Sequence, residues 1–149
     1  MSFPIPEVSV VREFLMTLLD RKVIVNKSKN KLNTAAIATY SDGETERGMM
    51  GVDRSFQIYS GAALALIPAA TAEASRTNMS KELHENFYET MNVLSGIFSS
   101  DGDRSVIQEV VEFDDASKEL RKRFRRAENR LNLELEVDGY GKAALTIAV

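Results

Sequence analysis

The sequence predicts an α+β fold: a two-layer sandwich of a mostly antiparallel sheet with helices packed on it. Three observations carry this. Leu131, Leu133, Leu135 and Val137 alternate with Asn132, Glu134 and Glu136, the period of two of a half-buried strand. Two Asp-Gly dipeptides, Asp42-Gly43 and Asp138-Gly139, lie between apolar runs, the short-range signal of antiparallel hairpins. Other segments instead repeat their apolar residues at helical spacing. No linker or low-complexity stretch interrupts the 149 residues, so one domain spanning 1–149 is expected.

In chain order, Pro4 and Pro6 mark an irregular start, and Val8, Val11, Leu15, Leu18 and Leu19 give a first helix. "RKVIVN" reads as a short β-branched strand ending near Asn26, followed by the charged loop "NKSKNK". "TAAIATY" and "TERGMMGV" flank the first Asp-Gly turn as two strands. Asp53 stands as an N-cap before a helix whose Phe56, Tyr59, Ala63 and Leu66 share a face. Pro68 removes a backbone donor and should kink or break that helix. Ser80 can cap the next helix, expected to run to about Phe98. "SSDGDR" reads as a turn and "SVIQEVVEF" as a strand. A helix follows, with Asp115 or Ser117 near its start, and the second hairpin closes the chain. The helices are expected over one face of the sheet.

Composition removes several classes of function. Apolar residues make up 44% and charged residues 28%, with net charge −3, which argues against a protein that coats nucleic acid but allows a local basic patch. There is no cysteine, hence no disulfide or thiolate chemistry. His84 is the only histidine, which excludes a zinc site built from several histidines of one chain. The first residues do not read as a signal peptide, and no apolar window approaches 18 residues; a cytoplasmic location is expected.

The candidate site lies in "KELHENFYETMNVLSGIF". Wound as a helix, it puts Leu83, Phe87, Met91, Leu94, Ile97 and Phe98 on one face. Glu85, Glu89, Asn92 and Gly96 fall within about 60° of one another on the other. Glu85 and Glu89 are like charges one turn apart, and Asn and Gly are poor residues inside helices. Three choices on one face therefore oppose the helix they sit on, the kind of conflict expected at functional positions. The alternative is a face kept polar for solvation alone.

Within this helix "ETMNVLSG" has the pattern Glu-x-x-Asn-x-x-x-Gly. It resembles the active-site helix of the CheC/CheX/FliY family, chemotaxis phosphatases acting on the response regulator CheY, and CheX most closely. The order of elements is similar too. The resemblance implies a CheC/CheX-like fold and hydrolysis of an aspartyl phosphate on a receiver domain. It assigns catalytic roles to Glu89 and Asn92, with Glu85 and Gly96 at the partner surface. It implies no cofactor of the chain's own, Mg²⁺ being the receiver's. The sequence departs from the family pattern at Glu85, where Asp or Ser is usual, and at Asp115, where a Pro is usual. A second Glu/Asn helix is absent.

Two other readings stay beside this one. A silent relative could serve as an adaptor or dimerisation module. The basic segment 118–130, with Lys118, Arg121, Lys122, Arg123, Arg125, Arg126 and Arg130, could instead serve a nucleic-acid-associated protein, or simply be a solvated helix anchored by Leu120, Phe124 and Ala127. "KAALTIAV" reads as an apolar terminal strand guarded only by Lys142, so a homodimer through an exposed sheet edge is expected, as it is from the resemblance. "SSDGDRS" lacks the spacing of a calcium loop and "GYGK" that of a phosphate loop.

Overall fold

A computed structural model describes residues 4–99 and 104–149. Among the described residues six strands form one sheet: β1 (Val23–Lys27), β2 (Ala36–Ser41), β3 (Glu46–Val52), β4 (Val106–Glu112), β5 (Arg130–Val137) and β6 (Gly141–Ala148). Five α-helices accompany them: α1 (Val8–Leu19), α2 (Arg54–Leu64), α3 (Ala69–Ala74), α4 (Lys81–Val93) and α5 (Lys118–Arg126). The strand order is β1-β5-β6-β3-β2-β4, with every neighbouring pair antiparallel. This is the expected α+β architecture. Both Asp-Gly turns close hairpins, with Gly43 at φ 101° and Gly139 at φ 84°, values that need glycine. The turn expected at "SSDGDR" falls largely outside the described residues.

Alternation along the strands divides the core in two. Ala36, Ala38 and Tyr40 of β2, Met50 and Val52 of β3, and Leu131, Leu133 and Leu135 of β5 point into the larger cluster, which α1, α2 and α4 cover. Ile37, Met49 and Ala148 point the other way, into a smaller cluster closed by Leu120 and Phe124 of α5. The helices were expected over one face; α5 lies on the opposite one. Its amphipathic pattern fixed that one side is buried, not against which face.

The edge argument for a dimer also changes. β6, the "KAALTIAV" strand, is interior, paired with β5 and β3. The sheet edges are β1 and β4.

The caps follow their chemistry. The Asp53 carboxylate accepts from the Phe56 N–H at 2.8 Å, and Ser117, rather than Asp115, caps α5 by accepting from Leu120 N–H at 3.1 Å. Pro68 breaks the helix outright: α2 stops at Leu64, and Pro68 becomes the N-cap of α3. Leu66, expected on the helical face, is instead in the connection at φ 58° and 77% exposed. The Tyr59 hydroxyl of α2 donates to Glu73 of α3, and Arg76, just beyond the end of α3, donates to the same carboxylate. Arg76 first, then Tyr59, hold that carboxyl down to about 2.

Candidate functional site

The outward face of α4 is defined by how firmly its inward face is held. Ser80 Oγ accepts from the Leu83 N–H at 3.2 Å at the start of the helix. Leu83, Phe87, Thr90 and Met91 are buried. Phe87 meets Phe56 of α2 edge-on at 6.5 Å, and Asn86 Nδ2 donates to the Gly61 carbonyl at 3.2 Å. Gly61 permits that approach, since a Cβ there would stand 2.9 Å from the Leu83 carbonyl oxygen.

At the other end, the Tyr40 hydroxyl donates to the Met91 carbonyl at 2.8 Å. Tyr40 is fully buried, and burial pushes its phenol far above the usual range, so it stays a neutral donor. Its ring also packs on Phe98 at 4.8 Å. The α-helix expected to reach about Phe98 ends at Val93 and tightens into a 3₁₀ turn over Leu94–Phe98. That turn buries Phe98 against the sheet at Gly48, where a Cβ would lie 2.4 Å from the ring.

Glu85, Glu89 and Asn92 are all exposed on one face, as expected. Glu85 forms an i,i+4 pair with Lys81 at 3.7 Å. Among the described residues no hydrogen bond or ion pair engages the side chains of Glu89 and Asn92. Gly96 does not continue the row. It lies in the 3₁₀ turn, and the space its missing Cβ leaves is filled by the Phe14 ring of α1, 2.6 Å from where that Cβ would be. Two residues that the sequence reading passed over flank the row: Tyr88, 48% exposed, and Val93, 40% exposed. The spacing carried the signal for Tyr88, which precedes Asn92 by one turn.

The basic helix is elsewhere. On α5, Arg123 pairs with Glu46 at 2.8 Å, and the Arg121 guanidinium lies over Phe113 at 5.5 Å. Arg130 lies over Phe124 at 4.8 Å and donates to its carbonyl. Lys118, Lys122, Arg125 and Arg126 remain exposed. His84 is an exposed residue of α4.

A cavity of 510 Å³ runs over β1, β5 and β6, with Asn26, Asn132 and Thr146 among its lining, and one of 320 Å³ lies beside Arg123 and Glu109. Neither includes the α4 row. Among the described residues no cluster of three or more His, Cys, Asp or Glu could hold a metal ion, and no helix is long and apolar enough to cross a membrane.

No family model and no curated protein matches the sequence. Solved structures do match in fold. The FliM–SpeE complex from H. pylori aligns with TM-score 0.62 at 9% identity, over 95% of this chain and 80% of that one. FliY from Thermotoga maritima aligns at 0.55 and 16% identity, over 100% and 92%. The CheX–CheY–BeF3–Mg²⁺ complex from Borrelia burgdorferi aligns at 0.56 and 12% identity, over 91% and 90%. With its antiparallel sheet, its covering helices and its anchored α4, this chain has the fold of the CheC/CheX/FliY proteins.

Proposed function

We propose that this domain acts on a phosphorylated receiver domain and speeds hydrolysis of its aspartyl phosphate. The observation that carries the reading is the unengaged pair Glu89 and Asn92 on a helix whose other face is fixed at both ends. A group that must orient water cannot also be tied up within its own protein, nor can its backbone drift. The row lies on an exposed helix face, which suits a macromolecular partner that brings its own phosphate, Mg²⁺ and lysine. A solved complex of the same fold contains CheX with CheY, which supports a receiver as the class of partner.

In this reading Asn92 holds the attacking water through its carboxamide without competing as a nucleophile. Glu89, one turn back, pairs with the receiver's lysine. Glu85 stays with Lys81 and contributes little. The measurement is phosphoaspartate lifetime in receivers from the same cell. Asn92→Ala should remove most of the acceleration while leaving folding nearly intact, since alanine suits an exposed helical position better than asparagine. Glu89→Ala should weaken docking as well as rate.

A second reading is a silent adaptor of the same fold. It is favoured by Gly96, whose open space is filled from within by Phe14 rather than left for a partner. Binding of a receiver with no change in phosphoaspartate lifetime would decide for it. Neither binding nor acceleration would return the row to a solvated face.

A further inference from the structure

α4 and α5 lie on opposite faces of one sheet and carry opposite charge outward. On α4 the exposed charges are Glu82, Glu85 and Glu89 against Lys81, with the exposed ring of Tyr88 beside them. On α5 they are Lys118, Lys122, Arg125 and Arg126 against Glu119, with Arg123 beside them already paired to Glu46. Those four cations fall within an arc of about 100°, and none has an intramolecular ion-pair partner among the described residues. Glu85 and Glu89 repeat at i,i+4, as do Lys118 and Lys122, and Lys122 and Arg126. Two helices laid side by side can therefore match charge at a common spacing of about one turn.

We propose that a second copy of this chain docks its basic α5 face on the acidic α4 row, head to tail. The occupant follows from complementarity: the chain itself presents an acidic helix face of matching repeat, and Tyr88 offers a ring on which a guanidinium can stack. The observations favour this over other anionic partners. The exposed side of α5 carries no aromatic residue for stacking bases and no large apolar residue for entering a lipid surface.

The geometry also fixes the form of the assembly. The joined patches differ and lie on opposite faces of the sheet, so the contact is heterologous and each added copy leaves both patches open at the ends. The association is open-ended, built on exposed pairs, and salt-labile. It covers Glu89 and Asn92, so stacked copies cannot offer that row to another partner.

The test is sedimentation of the whole chain across protein concentration. At about 20 mM salt the weight-average mass should climb beyond twice the 16.6 kDa monomer, and at about 500 mM salt it should return to monomer. E85Q/E89Q and K122Q/R125Q should each stay monomeric alone. Mixed, they should form a complex that stops at one copy of each, because only one intact patch of each kind remains. A wild type that stays monomeric at low salt overturns the proposal. So does association unchanged by both variants, which would place the contact at β1 or β4, and so does a mixture that fails to pair. If the wild type is monomeric and K122Q/R125Q loses binding to an RNA oligonucleotide, α5 is a nucleic-acid surface instead.

Discussion

α4 and α5 start alike. Each is amphipathic and each is capped by a serine three residues before the N–H it satisfies, Ser80 for Leu83 and Ser117 for Leu120. What lies beneath them differs. α4 sits in the main core, with Leu83, Phe87 and Met91 buried among residues of α1, α2 and the sheet, and with Tyr40 bonded to its last turn. α5 closes a small cluster of Ile37, Met49, Ala116 and Ala148 and reaches it through Leu120 and Phe124. A polar outer face therefore means different things on the two. On α4 the row is held in a fixed place by the whole fold. On α5 the cations ride on two anchoring side chains.

The largest expected effect breaks that contrast directly. Phe87 is 3% exposed and its ring packs on Phe56, so Phe87→Ala should cost about 3–5 kcal/mol and lower the midpoint of global unfolding. Phe124 is 4% exposed, yet Phe124→Ala should fall near the low end, about 3 kcal/mol, and much of it should be local. Hydrogen exchange should speed in α5 while amides of β5 and β6 stay protected. Equal global losses from the two substitutions would show that α5 is as deeply built in as α4.

Gly51 sharpens the point from the sheet side. A Cβ there would come within 2.2 Å of the Phe124 ring tip, whereas at Gly48 it would meet Phe98 at 2.4 Å. Both alanine variants overpack, at a cost of about 1–3 kcal/mol. Their signatures should separate. Gly51→Ala displaces α5, and Gly48→Ala displaces the 3₁₀ turn after Asn92. If the docking reading holds, only Gly48→Ala should impair receiver binding.

Tyr40→Phe comes next. It keeps the ring against Phe98 and removes one buried donor, leaving the Met91 carbonyl short of a partner. The expected loss is about 1–2 kcal/mol by chemical denaturation. The side-chain ties that reach α5 come from nearer the surface: Arg130, at the start of β5 and only part-buried, donates to the Phe124 carbonyl, and Arg123 pairs with Glu46 in an exposed bridge.

These contrasts also show what could be read from residues alone. The caps at Asp53, Ser80 and Ser117, the alternation of β5 and both Asp-Gly turns are local, and local chemistry specifies them. The exposure of Glu85, Glu89 and Asn92 followed from helical period for the same reason. Long-range facts did not follow. An apolar strand such as β6 looks the same whether it ends a sheet or lies within one, because alternation reports faces and not neighbours. Amphipathicity told that α5 has a buried side without choosing the face of the sheet. Gly96 looked like space left for a partner, and Phe14, some 80 positions earlier in the chain, fills it. The helix end at Val93 is set by Phe98 turning in to Tyr40 and Gly48, contacts between segments remote in sequence.

The smallest effect tests the outer faces themselves. Lys81–Glu85 spans 3.7 Å with side chains 91% and 64% exposed, while Arg123–Glu46 spans 2.8 Å at 45% and 34%. Exposed pairs contribute about 0–1 kcal/mol, and the shorter, more shielded one should lie higher in that range. Arg123→Ala should therefore lower stability by about 0.5–1 kcal/mol, an effect that weakens with salt. Glu85→Ala should be near neutral. It loses a loose pair with Lys81, but it also relieves repulsion from Glu89 one turn on, and alanine is the better helix former. A clear loss of stability in Glu85→Ala, measured at low salt, would mean that Glu85 belongs to the scaffold and not to the exposed surface of α4.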